Sequence, residues 1–116
     1  MKNADERKSR YLMDSLPVRM GGLAANLARV GSVVAFPKGK IVVIDLFEES
    51  KFFIEWTAAD FDVETAAELV DVQRKLVRWQ RSIDTFWDDE ARRMEFGAEA
   101  KYISDRLLAK SGLLNQ

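Results

Sequence analysis

Apolar side chains recur along this chain at steps of three and four. Leu69, Val72, Leu76, Trp79, Ile83 and Phe86 share one side of a helix, with charged residues in the gaps. A helix with such a seam needs neighbours to bury it, and the remaining segments supply three. Leu16, Met20, Leu23, Leu27, Val30 and Val34 repeat the period. Asp14 or Ser15 is the expected N-cap there, and Pro17 falls in the first turn, where its missing N–H is tolerated. On an adjoining face, Gly21, Ala24, Ala25, Ala28 and Gly31 are small enough to let another backbone come close. Tight packing inside the fold accounts for them, and a dimer contact is the other reading. The Phe36-Pro37-Lys38-Gly39 stretch then turns the chain.

Residues 40–57 admit two readings. The run Ile41-Val42-Val43-Ile44 suits a strand, but a hairpin would have to turn at Glu48-Glu49-Ser50-Lys51, which lacks Gly, Asn and Pro. A helix places Val43, Leu46, Phe47, Ser50, Phe53, Ile54 and Thr57 on one face, with Asp45, Glu48, Glu49 and Glu55 opposite. The helix is the expected form. Ile41, Ile44, Phe52 and Trp56 fall outside its seam, which points to a second covered surface.

A short loop at residues 57–62 offers Asp60 or Asp62 as the next cap, with Phe61 placed as a hydrophobic staple. The helix after it is acidic at its start (Glu64, Glu68, Asp71) and basic later (Arg74, Lys75, Arg78, Arg81), the order that suits the helix dipole. Those basic residues read as a solvated face rather than a phosphate-binding stripe. Trp87-Asp88-Asp89-Glu90 suits the start of a fresh helix, although neither Gly nor Pro forces a break. In the last helix Phe96, Ala100, Ile103 and Leu107 point inward. Asp88 with Arg92 and Asp89 with Arg93 decorate the outside, Gly97 weakens the middle, and Lys110, Gly112 and Leu113 form the stop. The fold expected is all-α: a single-domain up-down four-helix bundle over residues 14–116, preceded by a charged, solvated arm at residues 1–13 whose Tyr11 and Leu12 could dock at its end. The alternative is an α+β domain with a hairpin at residues 40–57 packed on three helices.

Composition narrows the chemistry. A chain of 116 residues, 47% hydrophobic and 32% charged, suits one globular domain. A net charge of -1 gives nucleic acid or an acidic membrane no bulk attraction. With neither cysteine nor histidine, thiol redox chemistry, imidazole metal ligands and histidine-activated nucleophiles are absent. Glu48, Glu49, Glu55, Glu68 and Asp71 could cage a hard cation only by turning inward, against the pattern. Gly21-Gly22 follows no strand and has no Gly-Lys-Ser/Thr continuation, so it is no phosphate loop. Residues 1–10 lack the apolar core of a secretory signal, and residues 20–36 are interrupted by Asn26 and Arg29 and too short to span a bilayer. The expectation is a cytoplasmic, non-enzymatic protein with no cofactor, no metal site, no nucleic-acid binding and no membrane insertion.

Aromatic and aliphatic residues outside the main seams carry the remaining signal. Trp79 lies in a seam and reads as core. Trp56 and Trp87 lie near helix ends, where they either plug the bundle or anchor an interface. The candidate interface residues are Ile41, Ile44, Phe52, Trp56, Phe61 and Trp87, and the expected partner is another protein or a second copy. A small apolar or aromatic ligand held between helices, against Trp79 and Trp87, is the alternative.

Three stretches together, residues 11–30 (YLMDSLPVRMGGLAANLARV), 47–58 (FEESKFFIEWTA) and 111–114 (SGLL), resemble a family of small uncharacterised helical proteins of cyanobacteria. The resemblance implies a cytoplasmic helical protein and carries over no site residue.

Overall fold

Three polar side chains start the helices by accepting the backbone N–H groups that a first turn leaves unpaired. Ser15 Oγ accepts from Val18 N at 3.4 Å, Asp62 Oδ2 from Thr65 N at 3.1 Å, and Asp89 Oδ1 from Arg92 N at 3.1 Å. The structure, a computed structural model, describes residues 4–112. Within them α1 is Ala4–Met13, α2 Leu16–Val33, α3 Lys40–Thr57, α4 Val63–Phe86 and α5 Glu90–Ser111. Gly112 ends α5 at φ 82°, a left-handed backbone that favours glycine. Leu113, expected to fold back after that stop, lies outside the described residues.

Two expectations change. Among the described residues the α-helices number five rather than four, because residues 4–13 of the segment read as a solvated arm form α1. Residues 5–10 are exposed as expected, and Tyr11, one of two residues able to dock at the end of the arm, is buried. The hairpin alternative at residues 40–57 is overturned: the segment is a single helix, and no strand occurs among the described residues. The face that buries Val43, Leu46, Phe47, Ser50, Ile54 and Thr57 repeats at helical spacing, and that burial outweighs the β preference of residues 41–44.

The contacts across each pair of long helices run in opposite sequence directions. Asn26 reaches Ser50 and Gly22 faces Phe53 between α2 and α3. Gln80 reaches Glu48 while Lys40 pairs with Asp84 between α3 and α4. Lys75–Glu99 and Glu68–Arg106 join α4 to α5, and Ser104–Ala24 and Arg93–Val34 join α5 to α2. The shared core draws on all four helices. Phe96 sits among the rings of Trp79, Phe86 and Phe47, with centroids 5.0, 4.9 and 5.7 Å away. α1 lies outside this set, against α3.

α2 and α5 make the closest approach. A Cβ on Gly31 would lie 3.1 Å from the Gly97 carbonyl oxygen, and a Cβ on Gly97 would collide with the Val34 side chain. The Ser104 hydroxyl donates to the Ala24 carbonyl at 2.6 Å, satisfying a hydroxyl that is buried between the helices. Gly97 is therefore the seat of Val34 rather than a weak point of α5. Ala24 and Gly31 serve this internal contact, whereas Ala25 faces solvent.

One arginine ties together the connections at each end of the bundle. Arg93, expected outside, is only 5% exposed. Its Nε donates to Val34 O at 2.8 Å and its Nη1 to Trp87 O at 2.8 Å. Both are carbonyls just past the last turns of α2 and α4, where no intrahelical donor remains. Trp87 reinforces the joint: its indole N–H donates to Pro37 O at 2.7 Å, and the Arg93 guanidinium lies 5.5 Å from its ring centroid. At the other end Arg19 donates to Leu12 O and Asp14 O, each at 2.9 Å, and to Asp60 Oδ2 at 2.9 Å. It thus links the α1–α2 corner to the α3–α4 connection.

Two substitutions test this packing by urea unfolding. Gly97→Ala gains about 1 kcal/mol of helix propensity but meets Val34, and overpacking of this kind costs about 1–3 kcal/mol. The expected net result is destabilisation, whereas in a Val34→Ala background Gly97→Ala should stabilise relative to Val34→Ala alone. Arg93→Met strips two buried carbonyls of their donor and should cost about 3 kcal/mol. Arg92→Met, at the exposed neighbouring position, should cost well under half as much.

Candidate functional site

α3 carries apolar residues on two sides. One side is core; the other holds Ile41, Phe52 and Trp56, interrupted by the acidic residues Asp45, Glu48 and Glu49. Eleven and fifteen residues separate Ile41 from Phe52 and Trp56, so at 1.5 Å per residue they stand roughly 16–23 Å apart along the axis. Ile41 is 73% exposed at the start of the helix, close in sequence to exposed Phe36 and Val42. Phe52 and Trp56 are half-buried at the other end, with ring centroids 5.4 Å apart.

Of the six residues read from sequence as an interface, the structure brings Phe52 and Trp56 together and leaves Ile41 on the same helix at the opposite end. Ile44 and Phe61 are partly buried and pack against the core. Trp87 is corrected outright: at 3% exposure, with its indole bonded to Pro37 O, it is a core residue that offers no surface. Trp79 borders a small groove of about 190 Å³ with Phe86 and Phe96, whose lining does not include Trp87.

Two further rings complete the Phe52–Trp56 site. Tyr11 of α1 stacks on Phe53 at a centroid distance of 4.1 Å and an interplanar angle of 8°, and lies 5.9 Å from Trp56. Phe53 and Trp56 are themselves 6.0 Å apart. The Tyr11 hydroxyl donates to Arg19 O at 3.0 Å. One turn earlier on α1, Arg7 pairs with Glu49 at 2.6 Å, and Glu49 also accepts from Asn26 Nδ2 at 3.1 Å. This bridge stands between two open grooves. The first, about 380 Å³, is lined by Arg10, Tyr11, Asp14 and Phe53; the second, about 600 Å³, by Asn26, Arg29, Val42 and Leu46.

Tyr11 is legible as a docking residue, being aromatic at the end of a charged segment. That Phe53 would stack on it while also packing against the core is not, because a helical period cannot assign a residue at the edge of a seam to one neighbour or another. A third cleft, about 320 Å³, opens between α4 and α5 over Val72, Ile103 and Leu107, with Lys75, Glu99, Glu68 and Arg106 along its rim. Among the described residues no group of acidic side chains could hold a metal ion, and no helix is long and apolar enough to cross a membrane. Comparison with protein-family models, with curated proteins and with solved structures finds no match to this chain.

Burial raises the Tyr11 phenol above its usual 10.0, with Arg19 pulling the other way and Asp14 adding to the rise. Folding therefore favours the protonated phenol. Its contribution is intact below pH 10.0, the unfolded value, and is lost as pH climbs from there toward the folded pKa. Alkaline titration followed by tyrosine absorbance and circular dichroism should show α1 contacts loosening above that pH. Tyr11→Phe should remove this pH dependence, keep the stack, and cost about 1 kcal/mol for the lost hydrogen bond.

Proposed function

We propose that this protein is a non-enzymatic helical interaction module that binds another protein, or a second copy of itself, through the outer side of α3. The observation that carries the reading is the pair of partly exposed rings, Phe52 and Trp56, on a helix whose opposite side already fills the core. Exposed Ile41 extends the apolar character of that helix to its far end. In this reading the four long helices are an up-down bundle serving as a rigid support, and α1 is an addition on its α3 side. Cytoplasmic residence and kinship with the small cyanobacterial proteins belong to the same proposal, resting on the three similar stretches.

A second reading, a small apolar ligand, has one observation in its favour. The α4–α5 cleft has an apolar floor of Val72, Ile103 and Leu107, although its volume of about 320 Å³ sits at the small end for such sites. Native mass spectrometry of freshly purified protein tests it: a retained small molecule supports the cleft, and bare polypeptide mass counts against it.

The test of the first reading compares the wild-type chain with Phe52→Ser/Trp56→Ser. Light scattering after size exclusion reads self-association, and cross-linking in cells reads partners. The expected result is at least a tenfold loss of whichever association the wild type shows, with the thermal midpoint nearly unchanged. Full retention of every association by the double variant would refute the proposal.

A further inference from the structure

α1 contributes little buried surface to its own docking. Residues 5–10 are exposed, and among residues 5–13 of α1 Tyr11 alone is buried. The Arg7–Glu49 pair leaves the arginine side chain 51% exposed, a setting in which ion pairs add little. The Arg19 bonds to Leu12 O and Asp14 O hold the corner after α1 rather than the body of the helix. A helix of 10 residues is marginal in water by itself, so α1 persists because α3 holds it. Segments held by so few contacts open at far lower free energy than the core.

What α1 covers is a site with its own chemistry. Phe53 and Trp56 form an aromatic floor, the Arg19 carbonyl accepts a hydroxyl at its edge, and Glu49 stands one turn away to take a cation. Beside that floor Glu49 is partly exposed and Asp45, one turn further along α3, is exposed, so acidic groups flank the aromatic ones. α1 answers it with an arginine and, four residues later, a tyrosine on the same side of the helix.

We infer that this face of α3 is a groove for a basic amphipathic helix from another protein, one presenting an arginine followed four residues later by an aromatic residue, and that α1 is its internal occupant. The inference deepens the proposed function and rests on it: the partner that uses Phe52 and Trp56 enters by displacing α1. The recognition is helix-in-groove, with the aromatic ring as anchor and the acidic side chains of α3 selecting for positive charge. Displacement also sets a threshold, since a groove already filled in most molecules has its apparent affinity lowered by the fraction left open.

The test uses the full chain and a fluorescein-labelled peptide of residues 1–15, read by anisotropy. Tyr11→Ala empties the groove, and the peptide is expected to bind that variant at least tenfold more tightly than wild type. Arg7→Glu, at an exposed position, loosens α1 by repelling Glu49 and is expected to raise affinity about threefold; it serves also if Tyr11→Ala does not fold. Adding Phe53→Ala to either variant, or replacing the peptide's own tyrosine by alanine, should abolish binding. Equal affinity for wild type and a folded Tyr11→Ala chain, or no gain with Arg7→Glu, overturns the inference. Dimerisation of Tyr11→Ala in light scattering also overturns it, since the groove would then take a second copy. If cellular associations depend on Trp56 while the peptide fails to bind, the α1 mechanism falls and the interaction module stands. If the peptide binds as expected but no association depends on Phe52 and Trp56, the wider proposal falls instead.

Discussion

The contact between α2 and α5 governs the rest of the molecule. Gly97 lets Val34 seat itself in the surface of α5, Gly31 lies against the Gly97 carbonyl, and Ser104 ties the two backbones through Ala24. Two helices drawn this close leave the others to fill what remains. α3 closes over α2 with Phe47, Leu46 and Val43 buried. α4 is joined to α5 largely through longer side chains: the Phe86–Phe96 rings near one end, and the pairs Lys75–Glu99, Glu68–Arg106 and Glu68–Lys110 along the edge. The cleft over Val72, Ile103 and Leu107 follows from that spacing. The tightest seam and the loosest one are two consequences of the same close approach.

Arginines do at the bundle ends what glycine does along its length. A helix terminus turned inward exposes carbonyls that no intrahelical N–H can reach, and leaving them bare is costly. Arg93 reaches two such termini at once, and the Trp87 ring lies beside its guanidinium. Arg19 performs the matching task where α1 meets α2 and α3 meets α4. Each guanidinium spreads its donors in a fixed fork, which suits it to joining separate segments in a way a lysine could not. The connections at the two ends are thereby tied into the fold rather than left as free loops.

Much of this is written plainly in the chain. The seams of α2, α4 and α5 follow from periodicity, because burial of one face imposes a step of three or four. Ser15 and Asp62, each named as one of two possible caps, do cap their helices. The features that escape are those in which a residue acts against its type. Arg93 looks like one of several surface arginines, and only the positions of Val34 and Trp87 make it internal. Gly97 looks like a helix defect until Val34 is placed opposite. Trp87 resembles an interface anchor because no one-dimensional pattern shows Pro37 coming round to meet it, 50 residues earlier in the chain. For the candidate site, Phe52 and Trp56 are legible as apolar residues outside the seam, whereas the Tyr11–Phe53 stack depends on a corner at Asp14–Ser15 that local rules leave undirected.

Stability is thus graded outward from α2 and α5, and α1, held mainly by one ring, lies at the other extreme. Native-state hydrogen exchange followed residue by residue measures that gradient directly. The expected result is that amides of residues 23–30 in α2 and 97–107 in α5 exchange only through global unfolding, while those of residues 7–13 exchange through a local opening orders of magnitude more frequent. Equal protection of α1 and the α2–α5 pair, or exchange in α2 and α5 faster than in α3 and α4, would contradict it.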